Sequence, residues 1–374
     1  MPQFLATCAK GLVEVLENEI KELGIASTER IPGGVLFESN WEGCYKVNLY
    51  SRIANRVLKP ILEFTAYDGD ELYGQLMRHD FTKYCKVTQT IKVEATVEDC
   101  KIHDQRFLAM RTKDAVVDQF REKTGERPSV DNSNPDLRIF IKGKKNLFQV
   151  AIDTSGESLF MRGYRKSAGE APMKETLAAG LLKLTEWKQD KPIVDPLCGS
   201  GTILIEAALM AANIAPGTLR RRFAFQNFQN FEKTVWERLV DEAIGQEKQE
   251  VSVQFFGSDI DRRVVQYAKE NARRAGVDHL IQFKTESVAT MVNTAGDAVI
   301  VTNPPYAVRL GDEDNVRDIY RDLSHTLKNQ FKGMDAWLLS GNKDLISDLR
   351  LKSSRKHFVY NGPIECRFLK YSMH

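Results

Sequence analysis

The chain has 374 residues, 42% of them hydrophobic and 28% charged, with a formal net charge of +2. That length exceeds one small domain, and that balance excludes an intrinsically disordered chain. No run of ~18 apolar residues could span a membrane, and the first residues lack the pattern of a secretion signal, so the expected location is the cytoplasm. Six scattered cysteines, with no Cys-x-x-Cys pair and no clustered histidine, argue against a metal site and a disulfide framework.

In "KGLVEVLENEIKELG", Leu12, Leu16, Ile20 and Leu23 recur at helical spacing, and Gly24 supplies a stop. "GGVLFES" predicts a short strand and "LYSRIANRVLKPI" a second helix closed by Pro60, giving a compact α+β unit over 1–62. Over 63–160 the pattern predicts a helix at "ELYGQLMRH", an alternating strand at "TIKVEATV", a helix from Phe107 to Phe120 and a hairpin of "DLRIFI" and "LFQVAIDT". These segments suggest a second α+β unit on an antiparallel sheet, with no cluster of groups suited to catalysis. "MRGYRKSAGEAPMKE" is the expected linker. Beyond it, over 161–374, strands and helices alternate: KPIVDP, VQFFGSD, IQFKTE, DAVIVTN and AWLLSG are strands, with helices around them. That order specifies a doubly wound parallel sheet, closed by an antiparallel pair around Gly362 and Pro363.

Basic residues cluster at Lys142, Lys144 and Lys145, at Arg162 and Arg165, and at Arg220, Arg221 and Arg222. Each cluster is a solvated surface by default, and a polyanion contact where the clusters share a face.

Three strand ends carry chemistry. "IVDPLCGSGTILIEAA" is a strand, a turn with Gly199 and Gly201, and a helix whose free N–H groups face the turn. Leu204 stands where a dinucleotide fingerprint has its third glycine, which favours a cofactor with less phosphate. "FFGSDID" ends the next strand on Asp259 and Asp261. Asp259 could accept bonds from a ribose diol, or cap the helix that begins near Arg262. The gap from Gly201 to Asp259 exceeds the usual ~20 residues, and an insertion over 213–250 containing Arg220 to Arg222 and Phe223 to Phe231 explains it. "TNPPY" ends a buried strand in two prolines that pre-set φ. The Asn303 side-chain oxygen and the Pro304 carbonyl would then be two fixed acceptors for an exocyclic –NH₂, and Tyr306 a ring on which a base could stack. An ordinary proline-rich loop is the alternative.

Together these residues resemble the class I S-adenosylmethionine-dependent methyltransferases that modify exocyclic amines. "DPLCGSGT" resembles their cofactor loop, "GSDID" their ribose-binding acid and "TNPPY" their D/N-P-P-Y/F motif. "FLATCAKGLVEVLENEIKELG", "GGVLFE" and "NLYSRIANRVL" resemble a ferredoxin-like unit leading into a THUMP RNA-binding domain. The resemblance implies a Rossmann-like, doubly wound α/β domain with a seven-stranded mixed sheet at 161–374, preceded by a ferredoxin-like domain at 1–62 and THUMP at 63–160. It further implies relatives that methylate the 2-amino group of guanine in bacterial 23S rRNA, with tRNA guanine or an adenine amine as alternatives. A non-catalytic RNA-binding assembly factor is the competing class.

By that resemblance the cofactor, S-adenosyl-L-methionine, would meet Lys174, Glu175, Thr176, Asp195, Cys198, Gly199, Ser200, Gly201, Thr202, Asp259, Ile260 and Asn303. Glu286 or Ser287 would meet its adenine amine. Asn303, Pro304 and Tyr306 would serve catalysis. Pro305, Tyr306, Arg309, Lys142, Lys144, Lys145, Arg162 and Arg165 would contact RNA. The chain would act without metal or membrane, as a monomer or homodimer, and residues 161–374 would bind cofactor without the front half.

Overall fold

The structure is a computed structural model that describes residues 1–165, 173–306 and 313–374. Along the first half run β1 (Gln3–Thr7), α1 (Val13–Glu22), β2 (Thr28–Ile31), β3 (Gly34–Glu38), α2 (Trp41–Tyr50), β4 (Arg56–Thr65), α3 (Gly69–Met77), β5 (Thr90–Glu98), α4 (Gln105–Thr124), β6 (Ser129–Val130), β7 (Leu137–Lys144) and β8 (Leu147–Asp153). The second half has α5 (Glu175–Leu184), β9 (Ile193–Asp195), α6 (Thr202–Ala211), α7 (Lys233–Gly245), β10 (Phe255–Asp259), α8 (Arg262–Arg274), β11 (Ile281–Thr285), β12 (Val299–Thr302), α9 (Glu313–Gln330), β13 (Asp335–Ser340), α10 (Lys343–Asp348), β14 (Arg355–Asn361) and β15 (Ile364–Ser372).

Among the described residues the strands form two sheets, of order β2-β3-β1-β4-β8-β7-β5-β6 and β11-β10-β9-β12-β13-β15-β14. The first sheet corrects two expectations. The segment from Arg56 is a strand rather than the end of a helix, and it pairs with β1 on one side and β8 on the other. Its Val57, Ile61 and Phe64 suit a pleated surface, while Pro60 sits at a register shift, where a missing N–H is tolerated. The expected boundary at 62 thus falls inside β4. The sheet is also mixed rather than antiparallel, because β5 pairs with β7 and β6 in parallel. A 20-residue helix, α4, supplies the crossover such a pairing needs. The hairpin of β7 and β8 turns on Lys145 and Asn146, both at positive φ (51° and 63°), as a two-residue turn matched to strand twist demands.

In the second sheet β9 pairs in parallel with both β10 and β12, so the chain order reverses at β9. Ligands bind at such a reversal, at the carboxyl ends of the strands. The helix α6, "TILIEAALMA", is buried on every side. A helix buried all round lies between two layers, and here these are the second sheet and the residues Arg52 and Tyr164, the latter meeting the helix's one carboxylate, Glu206.

The front and rear halves share an apolar and polar junction. The Tyr45 ring centroid lies 4.5 Å from Phe225, 5.9 Å from Phe231 and 6.3 Å from Trp236, so the 213–250 insertion packs its aromatics on α2. Arg52 donates to the Ile214 carbonyl at 2.8 Å, and Thr176 Oγ1 donates to Asn55 Oδ1 at 2.8 Å. A Cβ at Gly180 would stand 2.4 Å from Leu12 Cδ1, which shows how closely α5 approaches the front half.

This junction argues against an independent rear half. A fragment of residues 161–374 would expose Phe225, Phe231 and Trp236 and strand the Ile214 carbonyl and Thr176 hydroxyl. We expect it to aggregate or to melt without a cooperative transition, whereas the full chain melts cooperatively. Scanning calorimetry and gel filtration check this; a monomeric fragment with a sharp transition would refute it.

Candidate active site

Gly199 and Gly201 lie at φ 52° and 81°, the left-handed region, between β9 and α6. The φ disfavours a side chain at 201, and space there is tight, since its Cβ would stand 3.0 Å from Phe283 Cζ and 3.1 Å from Ala268 Cβ. The turn is tied down by its own neighbours: Cys198 N–H donates to the Ser258 carbonyl at 2.9 Å, and Asn271 Nδ2 donates to the Ser200 carbonyl at 3.2 Å. Leu204 keeps α6 close to the sheet because β10 carries Gly257 opposite it, where a Cβ would fall 2.5 Å from Leu204 Cδ1. The close helix–strand approach is thus made with the glycine on the strand.

Asp259, at the carboxyl end of β10, accepts from Gly199 N–H at 3.1 Å with Oδ2 and from Asp261 N–H at 3.0 Å with Oδ1. The helix cap is Asp261, which accepts from Arg263 N–H at 2.8 Å. Of the two roles open to Asp259, capping is therefore taken by its neighbour. Ile260, beside it, is 72% exposed, an apolar side chain presented at the rim. Glu286 N–H donates to the Asp259 carbonyl at 3.0 Å, which brings the end of β11 to the same rim. Ser287 Oγ accepts from Ala289 N–H and so caps the following turn.

Across the strand-order reversal, Thr302 Oγ1 of β12 donates to Asp195 Oδ1 of β9 at 2.6 Å, and Leu197 N–H donates to the same oxygen at 3.2 Å. Burial, and then the charge of Asp259, push the Asp195 carboxyl up to about 7. Asn303 follows Thr302 directly. Its Oδ1 is buried without a hydrogen-bond partner among the described residues. An unpaired buried acceptor costs about 1–3 kcal/mol, which a ligand donor would recover. Pro304 is buried and Pro305 exposed. Tyr306 is half-buried; its hydroxyl accepts from Asn361 Nδ2 at 2.7 Å, and its ring lies so close to Gly341 that a Cβ there would be 2.9 Å from Tyr306 Cδ2.

Left-handed glycine turn, strand-end carboxylate and orphan amide oxygen thus meet at the carboxyl ends of three adjoining strands. Comparison with known proteins finds the same plan: residues 162–370 match the RMKL-like methyltransferase domain, 3–58 the RlmL ferredoxin-like domain and 66–153 the THUMP domain. The chain belongs to the RMKL-like methyltransferase family. A Synechocystis protein provisionally described as an RNA methyltransferase is 36% identical over 371 residues, covering 99% of this chain and 97% of its own. The ribosomal RNA large subunit methyltransferase K/L of Syntrophotalea carbinolica is 37% identical over 99% of this chain, which spans only 53% of that longer relative. The crystal structure of the methyltransferase-like SMU.472, complexed with SAH, superposes with a TM-score of 0.91 at 31% identity, covering 100% of this chain and 98% of its own.

Several residues expected at the methyl-transfer or RNA surface of this family member lie elsewhere. Arg162 is 1% exposed and donates to the carbonyls of Leu159 at 2.7 Å and Arg52 at 2.6 Å, so it is interior and closed to RNA. Arg165 is no surface cation either: it donates to Glu175 Oε1 at 2.9 Å and to Thr202 Oγ1 at 2.8 Å. Those bonds also engage Glu175 and Thr202 inside the protein, while Thr176 turns to Asn55. A buried guanidinium requires such acceptors, and a basic run does not reveal them. Lys174 is exposed, its Nζ 4.9 Å from the Phe160 ring centroid. Lys142, Lys144 and Lys145 are exposed at the β7–β8 tip, Lys144 paired with Glu98 at 3.0 Å. Arg309 lies outside the described residues.

Asn271 positions the site but lay in no motif of the sequence, and Thr302 and Gly257, though inside the quoted motifs, were assigned no role there. The signal for Gly257 was available, a glycine inside an apolar strand opposite the leucine that replaces a glycine. No group of three or more metal-ligating side chains occurs among the described residues.

The raised Asp195 carboxyl has a sign that can be checked. Its ordinary value is near 3.9, so between about pH 4 and 7 the folded protein holds a proton that the unfolded chain has lost, and stability falls as pH rises through that window. Asp195→Asn does not titrate. The difference in melting free energy, variant minus wild type, should therefore increase from pH 5 towards pH 7, by at most about 1.4 kcal/mol per pH unit. A difference flat with pH would refute the assignment.

Proposed function

We propose that the chain transfers a methyl group to the exocyclic 2-amino group of a guanine in RNA, with 23S rRNA as substrate. The observation that carries this reading is the buried, unpartnered Oδ1 of Asn303, held beside the glycine turn and Asp259. The names of the relatives and the THUMP match support RNA as the polymer. The reading divides the chain into a ferredoxin-like domain at 1–62, THUMP at 63–160 and the methyltransferase domain at 161–374. The exposed lysines at the β7–β8 tip suit phosphate contacts.

S-Adenosylmethionine fits the residues present. Gly199, Ser200 and Gly201 let backbone approach it closely, Asp259 suits the ribose diol, and Ile260 with Glu286 or Ser287 lies where the adenine would rest. When bound, it supplies a methyl group already activated on a sulfonium. The protein's task is then position and electrostatics. Asn303 Oδ1 and the Pro304 carbonyl accept the two N–H bonds of the amine and aim its lone pair at the methyl carbon. The same two oxygens would stabilise the positive charge that grows on the amine nitrogen as it takes up the methyl group from the departing sulfide. The extra proton then leaves to water. Tyr306, pinned by Asn361, holds one side of the substrate wall.

Asn303→Ala should lower methyl transfer to an unmodified 23S rRNA transcript by about 10²–10³-fold while S-adenosylhomocysteine still binds. Scintillation counting and calorimetry measure the two. Nucleoside mass spectrometry of the product, which separates methylated guanine from methylated adenine and rRNA from tRNA, tests the substrate. Undiminished turnover by the variant would overturn the assignment.

A further inference from the structure

Outside the transfer site, the described residues contain a cleft of about 650 Å³ whose walls come from three separate places in the chain. One wall is the β6–β7 loop and β7, with Asn134 and Arg138. Another is the crossing between the two sheets, with Glu157 and Met161. The third is the start of the insertion, Leu219 to Ala224. Its lining has four arginines, at 138, 220, 221 and 222, against one carboxylate, Glu157.

These charges are not equivalent. Arg138 faces Glu94 at 3.5 Å and Asp153 at 3.9 Å, which compensate it. Arg220 has no carboxylate within ion-pair reach among the described residues. It donates to the carbonyls of Ser155, Glu157, Ser158 and Met161, its guanidinium carbon lies 5.0 Å from the Phe223 ring centroid, and its Nε is buried without a partner. That positive charge is fixed in place by carbonyls rather than by a carboxylate, so it adds to the positive potential of the cleft. Arg221 and Arg222 are exposed beside it, and Arg222 reaches across to Asn134 Oδ1, spanning two walls.

The cleft leads somewhere. A second hollow of about 240 Å³ shares Glu157, Met161 and Gly163 with it and is lined by Arg165, Lys174 and Glu175. Arg165 in turn donates to Thr202 Oγ1, the first residue after the glycine turn. Met161, 47% exposed where the two hollows meet, offers a soft apolar surface to a base.

We infer that this cleft is a phosphodiester track for a single-stranded RNA segment, with Arg221 and Arg222 as phosphate contacts, leading towards the glycine turn through the second hollow. The inference rests on the proposed RNA reading. It gives the insertion a role the motifs do not assign: one arginine fixes the wall, and its two neighbours grip the strand.

The full chain and its Arg221→Glu/Arg222→Glu variant should be compared for binding to an unmodified 23S rRNA transcript across a salt series. Each phosphate contact on a single strand contributes about 0.7 to the slope of log affinity against log salt, so the variant's slope should be shallower by roughly 1.4. Its affinity at roughly 0.1 M salt should fall at least about tenfold. Lys332→Glu/Lys352→Glu, which changes net charge equally at two exposed residues outside the cleft lining, should keep the wild-type slope, and unaltered S-adenosylhomocysteine binding by the arginine variant reports an intact fold. Wild type and arginine variant with equal slopes and affinities would overturn the track alone. An equal loss in the lysine variant would also overturn it, as a general charge effect. Wild type that binds no RNA would overturn the track together with the reading beneath it.

Discussion

Arg162 and Glu206 face each other at 3.6 Å in the interior between the two sheets, and the placement of the front half on the rear half depends on them. Neither is more than 1% exposed. Tyr164 donates to Glu206 at 3.1 Å, and Arg162 also holds the Arg52 carbonyl. Charges taken from water need partners at defined positions, and apolar side chains of the same volume would pack in more than one way. Here the partners come from α6, from the loop after α2 and from the crossing segment. Partnering their other atoms leaves little freedom to rotate one sheet against the other, although Arg162 Nε and Glu206 Oε2 are without hydrogen-bond partners. The aromatic contacts of Tyr45 with the insertion add area to a docking whose geometry the polar groups already specify.

The same economy of position recurs at the strand-order reversal. Thr302 and Asp195 bond across β12 and β9, and Asp259 bonds the glycine turn to β10. Three strand ends that face a ligand are thereby linked through side chains as well as through the ladder. A carboxyl held near neutrality by burial is the cost of the first link, since charged Asp195 would sit in an interior with only one hydroxyl and one N–H to stabilise it.

The rear sheet was legible from alternation, because β9 to β13 are short apolar runs, most of them separated by helices, and the ends of β9, β10 and β12 carried motifs. The front half was less so. "RVLKPILEFT" contains a proline, and proline in a periodic run reads as a helix end; only the bulge at Pro60 shows why a strand tolerates it. Parallel pairing of β5 with β7 was hidden because it is settled by the crossover of α4, a long-range fact. At the site, glycines and Asn303 were legible as motif. Arg162 and Arg165 were misread as surface charge, since residue type says nothing of depth, and their acceptors are carbonyls and carboxylates distant in sequence.

The double proline after Thr302 makes sense within this frame. A flexible arch could carry the Asn303 amide oxygen back to water and lose its aim; two prolines remove that freedom. Tyr306 then fastens the far end of the arch to the terminal hairpin through Asn361 and packs on Gly341 just after β13. One end is thus tied to the β9–β12 link and the other to β14 and β13. An acceptor can stay buried and unpartnered only where the surrounding backbone denies it an alternative. The cost of keeping Asn303 unsatisfied is carried by the packing around the arch, and a donor bound there would release it.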